Sequence, residues 1–183
     1  MKSRVILNPI TKEKITLLST EAESEGLYTI FEGEMIHGGS TCLHYHRLIT
    51  QTYTVTKGQL FIHSGGNKMI QLKTGSKHTI KPGEVHSIFN PTTNTTGYTV
   101  KSTPGHMGFE NMNRILSGLA NENRVNHIGL PKEHITLALL MKMGDTYFTT
   151  AFSLFEPLIR WQARKAKQKG IEAEMLDRYC KPW

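Results

Sequence analysis

The chain carries the sequence GGSTCLHYHRLITQ at positions 38–51 and the sequence KPGEVHSIFN at positions 81–90. These two segments hold His44, His46, Gln51 and His86. Glycine and proline punctuate both segments, and the chain between them is rich in β-branched residues, as strands are. The arrangement therefore predicts a β structure that brings imidazole and amide donors from distant segments to one place.

His44 and His46 are two positions apart, and side chains at i and i+2 of a strand point to the same face. Both imidazoles are therefore expected on one face, with Gln51 opening the next strand and His86 arriving from a distant one. Imidazole binds iron, manganese, nickel, cobalt, copper and zinc alike, so the pattern indicates a divalent transition metal without selecting it. With three or four protein ligands, coordination positions remain for water, dioxygen or a substrate, which is typical of a reactive site.

Short strand signals recur through the first half of the chain, about every 8–12 residues, with turn signals between them. Asn8-Pro9 predicts a turn within a first strand pair, and the segment 64–67 predicts a hairpin turn. The predicted strands cover positions 4–7, 14–18, 27–36, a segment around 44, 51–56, 59–63, 68–72, 78–80, 85–89 and 97–101. This series predicts a β-sandwich or barrel.

After Thr103-Pro104-Gly105 the pattern becomes helical. The first predicted helix has an apolar stripe at i, i+3, i+4 and i+7, formed by Met112, Ile115, Leu116 and Leu119. We therefore predict two parts, a β-barrel over residues 1–104 and a helical extension over 105–183 that packs on the barrel or on a dimer partner.

Three further helices are predicted in the extension. Pro131 is expected to open the second helix, and Gly144 to close it. The third is expected over positions 150–169, where Pro157 starts or kinks it. Its apolar side is formed by Phe152, Phe155, Ile159 and Ala166. Gly170 then separates a last short helix at 171–179.

The net charge of +7 raises the question of nucleic-acid binding. Much of the excess lies in the segment 160–169, which holds Arg160, Arg164, Lys165, Lys167 and Lys169. The charge pattern favours the solvated face of one helix. No zinc-finger, helix-turn-helix or RNP-type pattern is present, so we expect no nucleic-acid partner.

A membrane partner is not expected either. No run of 18 apolar residues occurs, and the N-terminus has no secretory signal. The apolar-rich segment 135–161 is interrupted by Lys142, Gly144 and Asp145, which favours packing within the chain or in a dimer over an interfacial membrane helix. Cys42 and Cys180 form no CxxC pair, so we predict a cytoplasmic protein with reduced thiols.

The segment 38–90 resembles the two motifs of the cupin superfamily. The first motif, G(X)5HXH(X)3–4E(X)6G, is matched by Gly38, His44, His46, position 51 and Gly58. The second is matched by Pro82, Gly83, His86 and Asn90. The resemblance implies a jelly-roll β-barrel with the metal ligands inside and a homodimer as the assembly. It extends to a subgroup of single-domain cupins that have an N-terminal Asn-Pro hairpin and a helical C-terminal tail.

One residue departs from the motif: the usual glutamate ligand is Gln51. A neutral amide oxygen leaves the ion with its full charge, so hard divalent ions should bind more weakly while an anionic ligand should feel a stronger positive field. The substitution also removes a carboxylate that could act as a general base.

The neighbours of the motif histidines are candidates for the wall of a pocket. Each lies an even number of positions from a proposed ligand and should therefore share its face of a strand. Cys42 is paired in this way with His44 and His46, Tyr53 and Val55 are paired with Gln51, and Ile88 is paired with His86. Core packing explains these apolar positions equally well. Tyr53 is in addition a candidate proton donor.

Two functions are consistent with these residues. The first is a metal-dependent enzyme, oxygenase-like or isomerase-like, acting on a small organic molecule in the barrel. The second is a binding module that holds a small molecule or a metal without turnover, which Gln51 favours slightly. A third and weaker hypothesis is a protein that binds anionic partners through the basic segment 160–169. Fold and site type host many reactions, so nothing in the sequence selects a substrate.

Overall fold

The structure is a computed structural model that describes residues 4–65, 68–148 and 156–181. Its strands are β1 (Val5–Asn8), β2 (Glu13–Ser19), β3 (Thr29–Met35), β4 (His44–Tyr45), β5 (Thr50–Lys57), β6 (Gln59–Ser64), β7 (Lys68–Lys73), β8 (Lys77–Ile80), β9 (His86–Phe89), β10 (Thr96–Thr103) and β11 (Tyr147–Phe148). Its helices are α1 (Met107–Asn121), α2 (His134–Met143), α3 (Glu156–Gln168) and α4 (Ile171–Tyr179).

The strands form two sheets whose named pairs are all antiparallel. One sheet has the order β1-β2-β3-β10-β5-β8 and the other the order β11-β4-β9-β6-β7. Strands that are distant in sequence are neighbours, as in a jelly roll. A buried apolar cluster is built from strands of both sheets: Met35, Tyr53, Val55, Leu60, Ile62, Leu72, Ile80, Ile88, Tyr98 and Val100. The predicted class, mainly β with a helical tail, is confirmed.

The predicted turn at Asn8-Pro9 joins β1 to β2. Its geometry comes from the Asn8 side chain, whose Oδ1 accepts hydrogen bonds from the backbone N–H groups of Ile10 and Thr11 at 3.0 and 3.2 Å. The predicted hairpin turn between β6 and β7 includes Gly66 and Asn67, which lie outside the described residues.

The strand that carries the first two histidines is shorter than its motif suggests. β4 comprises only His44 and Tyr45, and His46 lies directly after it, before the bend at Arg47 and Leu48. His44 pairs directly with His86 of β9. On its other side β4 pairs with β11, which the sequence pattern did not predict, because two residues after a helix carry no strand periodicity.

Helix α1 packs on one end of the barrel. Its apolar stripe meets Leu17, Phe31 and Ile49 in one buried cluster, where the rings of Phe31 and Phe109 are in edge contact at 5.7 Å between centroids. The predicted stripe is thus the face that packs: Met112, Ile115 and Leu119 are buried and Leu116 is partly buried.

The remaining helices differ from their predicted bounds in detail. α2 begins at His134, three residues after Pro131, which instead forms an isolated β-bridge with Val125. Gly144 ends α2 as predicted. Pro157 lies in the first turn of α3, while predicted positions 150–155, with Phe152 and Phe155, lie outside the described residues. Within the described ranges, no helix is long and apolar enough to cross a membrane.

Candidate metal centre and cavity

The three motif histidines converge. One ring nitrogen from each of His44, His46 and His86 lies within 4.8 Å of those of the other two. The ring centroids of His44 and His86 are 4.3 Å apart, those of His44 and His46 are 5.0 Å apart, and those of His46 and His86 are 5.6 Å apart. His46 and His86 are buried and His44 is half-buried. The cross-strand pair of His44 with His86, and the chain that continues from β4 to His46, thus bring together three of the four residues that the sequence predicted as ligands.

Each imidazole is oriented by a backbone carbonyl at its Nδ1. The distances are 2.8 Å from His44 to the oxygen of Cys42, 2.9 Å from His46 to that of Asp145 and 3.0 Å from His86 to that of Glu84. A carbonyl oxygen can only accept, so Nδ1 carries the proton in each ring and the lone pair of a neutral ring is on Nε2. Nε2 of His46 is buried without a hydrogen-bond partner.

Burial keeps these rings neutral. Desolvation lowers the pKa of His44 well below its ordinary value, and the neighbouring imidazoles lower it further. Burial likewise lowers the pKa of His46, and it lowers the pKa of His86 to about 4. Near neutral pH the site therefore presents unprotonated nitrogen lone pairs, which is the form that binds a metal.

Gln51 adds an oxygen to the same place. Its Oε1 lies 3.1 Å from Nε2 of His86 and accepts a hydrogen bond from the Tyr53 hydroxyl at 2.9 Å. The Nε2 lone pair of His86 thus faces the lone pair of an amide oxygen without a proton between them. A metal ion can accept both lone pairs, so this donor set fits a metal ion.

Asp145 supports the site from the segment after α2, and the sequence pattern did not identify it. Its carboxylate accepts hydrogen bonds from the backbone N–H groups of Arg47 and Leu48 at 3.0 and 2.7 Å, while its carbonyl accepts from His46. Asp145 has a left-handed backbone with φ of 48°. It was predicted only to interrupt an apolar stretch, since nothing in the sequence connects it with a histidine 99 residues earlier.

Arg47 connects the same bend to the helical extension. Its guanidinium donates two hydrogen bonds to the Glu156 carboxylate of α3, at 2.5 and 2.6 Å, and lies over the ring of Tyr147 at 4.3 Å from the centroid. Arg47 and Arg160 lower the pKa of Glu156 to about 2 through these hydrogen bonds. The third helix is thereby held to the residue that follows His46.

A cavity of about 140 Å³ adjoins the site. His44 and Gln51 lie in its wall, β1 and β2 contribute residues such as Ile6 and Ile15, and α1 contributes residues such as Phe109 and Met112. Most of the wall is apolar. Helix α1 therefore covers part of the barrel and shapes the space next to the histidines.

The residues predicted as pocket wall fall into two groups. Cys42, Tyr53 and Ile88 line the cavity. Val55 is buried in the apolar cluster between the sheets, where it packs with residues such as Leu60, and it is not among the lining residues. Burial raises the pKa of Cys42 to about 11 and raises the pKa of Tyr53 strongly, so both are protonated near neutral pH.

The cavity also holds a carboxyl group that sequence analysis missed. Glu13 of β2 lies in the wall, and its Oε1 accepts a hydrogen bond from the hydroxyl of Tyr98 on β10. Burial raises the pKa of Glu13. Glu13 lies two residues before Ile15 in β2, so the two side chains share one face of the strand. This alternation is the sequence signal that could have identified Glu13 as an inward-facing carboxyl group.

No known protein-family model matches this chain. No curated protein matches it in sequence either. A cupin from Shewanella frigidimarina, described as RmlC-like, is similar in structure with a TM-score of 0.50 and 16% identity, over 59% of this chain and 89% of that one. The polyketide cyclase RemF from Streptomyces resistomycificus has a TM-score of 0.49 and 18% identity, over 56% of this chain and 72% of the other. An uncharacterised double-stranded β-helix protein from Klebsiella pneumoniae has a TM-score of 0.45 and 22% identity, over 49% of this chain and 75% of its own.

The class of protein follows from the fold. The two antiparallel sheets, their strand order and the similarity to the Shewanella cupin give this chain the cupin, or double-stranded β-helix, fold, as the two sequence motifs predicted. Such a barrel hosts many unrelated activities, so the function has to be argued from the site.

Proposed function

We propose that His44, His46, Gln51 and His86 hold one divalent transition-metal ion and that the protein is a metal-dependent enzyme acting on a small organic molecule in the adjoining cavity. The observation that carries the proposal is the convergence of unprotonated Nε2 lone pairs with the Gln51 oxygen, with Nε2 of His46 buried and unpartnered. Iron, manganese, nickel, cobalt, copper and zinc all suit this donor set.

A bound ion of this kind would polarise a substrate oxygen or provide a place for dioxygen, as in oxygenases and isomerases. The protein contributes the rest. Burial of His46 and Gln51 excludes water from the ligands, the largely apolar wall admits a small carbon skeleton, and the Tyr53 hydroxyl lies beside the Gln51 oxygen with its proton in place. Tyr53 therefore holds a hydroxyl proton within hydrogen-bonding distance of one proposed ligand.

The alternative is a module that binds a metal or a small molecule without turnover. The replacement of the motif glutamate by Gln51 favours it slightly, because no carboxylate is left among the ligands to act as a general base. Glu13 favours the enzyme, because a carboxyl group with a raised pKa lies in the wall of the same cavity. Carboxyl groups whose pKa is raised by burial are candidates for proton transfer.

The test starts with elemental analysis of protein purified without a histidine tag. We expect about one equivalent of transition metal in the wild-type protein and a large loss in His86→Ala. The loaded protein is then assayed for oxygen uptake and for isomerisation with diols, keto-enols and thiols. Metal without turnover supports the binding module. Folded wild-type protein that takes up no metal, even from Co²⁺ solution, contradicts both forms of the proposal.

Other features of the sequence stay predictions: the cytoplasmic location, the homodimer and the division at residue 104. Size-exclusion chromatography with light scattering tests the dimer. The anion-binding hypothesis for the segment 160–169 is tested by nucleic-acid binding at rising salt concentration, where a steep loss of affinity would speak for it.

A further inference from the structure

Glu13 is distinct among the residues around the cavity. It carries the only carboxyl group among the described residues that line this space. The Tyr98 hydroxyl donates a hydrogen bond to its Oε1, and Tyr98 is almost fully buried. We call these two groups, the Glu13 carboxyl and the Tyr98 hydroxyl, the second anchor.

The backbone makes room for this pair. Tyr98 of β10 lies opposite Gly33 of β3 in the sheet, and a Cβ at position 33 would come within 2.5 Å of Cζ of the Tyr98 ring. Real Cβ atoms do not approach so closely, so any other residue at position 33 would displace the ring. Glycine therefore lets the tyrosine ring lie against β3 with its hydroxyl at Glu13 of β2.

The second anchor lies apart from the imidazoles. The ring centroids of His86 and Tyr53 are 6.4 Å apart, and those of Tyr53 and Tyr98 are 6.2 Å apart. The rings of Tyr53 and Tyr98 thus form a chain of contacts from His86 to the hydroxyl that binds the Glu13 carboxyl. The wall of the cavity also includes apolar residues such as Phe31, Val100 and Ile88.

The size of the cavity limits what it can hold. Its volume is about 140 Å³, and an apolar cavity of about 150 Å³ holds one benzene molecule. The part of the occupant that lies inside this cavity therefore has about the bulk of a single six-membered ring.

Resting on the proposed metal site, we infer that this occupant is a small organic acid whose anionic oxygen faces the histidines and whose hydroxyl group binds the second anchor of Glu13 and Tyr98. The anionic end follows from charge: three neutral imidazoles and a neutral amide leave the charge of a divalent ion uncompensated, and an anionic oxygen compensates half of it. The hydroxyl end follows from hydrogen bonding, since a hydroxyl group both donates and accepts and so pairs with either protonation state of a carboxyl group.

A cationic group is less suited to the second anchor. An ammonium ion pairs with an ionised carboxylate, but burial raises the pKa of Glu13 and so favours its neutral form. The ammonium would also share a small apolar cavity with the divalent ion, and like charges repel strongly where water is excluded.

The experiment uses the full chain loaded with Co²⁺, whose visible spectrum reports ligands that reach the metal. Benzoate is titrated beside 2-, 3- and 4-hydroxybenzoate, which share its ring and carboxylate and differ only in the hydroxyl group. We expect at least one isomer to bind about tenfold more tightly than benzoate. The variants are Glu13→Ala, Glu13→Gln and Tyr98→Phe; the last keeps the buried ring and serves if the alanine variant does not fold.

In Glu13→Ala we expect that preference to disappear while Co²⁺ uptake and the affinity for benzoate are kept. Tyr98→Phe should reduce the preference, and Glu13→Gln should retain part of it. If the protein takes up Co²⁺, three results would each overturn this inference alone. They are no preference for any hydroxy acid, no binding of any of these acids, and a preference that survives in both Glu13→Ala and Tyr98→Phe. Failure of the wild-type protein to take up Co²⁺ overturns the proposed function as well.

Discussion

The backbone carbonyl of Asp145 accepts a hydrogen bond from Nδ1 of His46 at 2.9 Å, although 99 residues separate the two in the chain. The carboxylate of the same residue fixes the backbone of the bend that follows His46, at Arg47 and Leu48. Asp145 therefore determines both the tautomer of the imidazole and the path of the chain that carries it. Partners of this kind usually affect metal affinity almost as much as the ligands do.

Asp145→Ala should weaken both the fold and the metal site. The substitution removes the acceptor of two backbone N–H groups and puts alanine at φ of 48°, so we expect the free energy of unfolding to fall by about 2–4 kcal/mol. Metal affinity should fall about 10- to 100-fold. Asp145→Asn should lose much less, because asparagine tolerates this backbone and keeps one oxygen. Urea unfolding and metal titration measure the two effects.

The matched control is Asp177→Ala, which removes an exposed aspartate from α4. It should leave metal affinity unchanged. If Asp145→Ala lowers stability but binds metal as tightly as the wild-type protein, the carboxylate does not position His46.

Metal should stabilise the folded protein. At a free-ion concentration of about 100 times the Kd, selective binding to the folded state contributes about 2.7 kcal/mol, which raises Tm by about 5–10 °C for a chain of this size. Gln51→Glu should increase the shift, because an anionic ligand compensates the charge of the ion. Differential scanning fluorimetry with and without chelator measures Tm.

The control for that charge change is Gln71→Glu, which adds the same charge at an exposed position of β7. It should leave the metal-dependent shift of Tm as in the wild-type protein. An equal shift in His86→Ala would place the bound metal elsewhere on the molecule.

Most of the barrel was predictable because its strands carry local signals. β5, β6 and β10 alternate in burial as their sequences indicate, and Asn8 provides the first turn with its own side chain. The convergence of His44 and His86 was predictable only through the motif spacing, since their cross-strand pair joins segments that no local pattern connects.

The parts that were missed depend on long-range packing. β11 has two residues and becomes a strand because β4 offers a free edge beside it. Glu13 looked like an ordinary polar position of a first hairpin, and it becomes a cavity residue only because Tyr98 and α1 close the space around it. The alternation of β2 indicates only that Glu13 shares a face with Ile15, whereas the cavity on that face arises from the assembled barrel.

The ion pair between Arg47 and Glu156 should couple the bend after His46 to α3. We expect a double-mutant cycle with Arg47→Met and Glu156→Gln to give a coupling free energy of about 1 kcal/mol that falls as salt is added. The value is modest because both side chains are partly exposed, at 33% and 20%. Urea unfolding of the four proteins at low and high salt gives the cycle.

The exposed pair Lys14–Glu34, between β2 and β3, is the control cycle and should show weaker coupling. If its coupling equals that of Arg47 with Glu156, the two-point hydrogen bond to α3 has no special effect on stability.

The three imidazoles should make the metal-free protein unstable in acid. The folded-state pKa of His86 is about 4, whereas the unfolded value is about 6.5, so between these pH values the unfolded state binds more protons. The stability that His86 contributes is therefore complete above about pH 6.5 and is lost as the pH falls toward 4, in total about 3 kcal/mol. His44 and His46 act in the same direction, because burial lowers the pKa of each.

Urea unfolding of the wild-type protein and of His86→Ala at a series of pH values isolates the contribution of His86. The variant should lose less stability than the wild-type protein between about pH 6.5 and 4. The control is the same substitution at exposed His134, which should not reproduce the effect. Equal slopes in the wild-type protein and His86→Ala would mean that His86 is not held neutral in the folded protein.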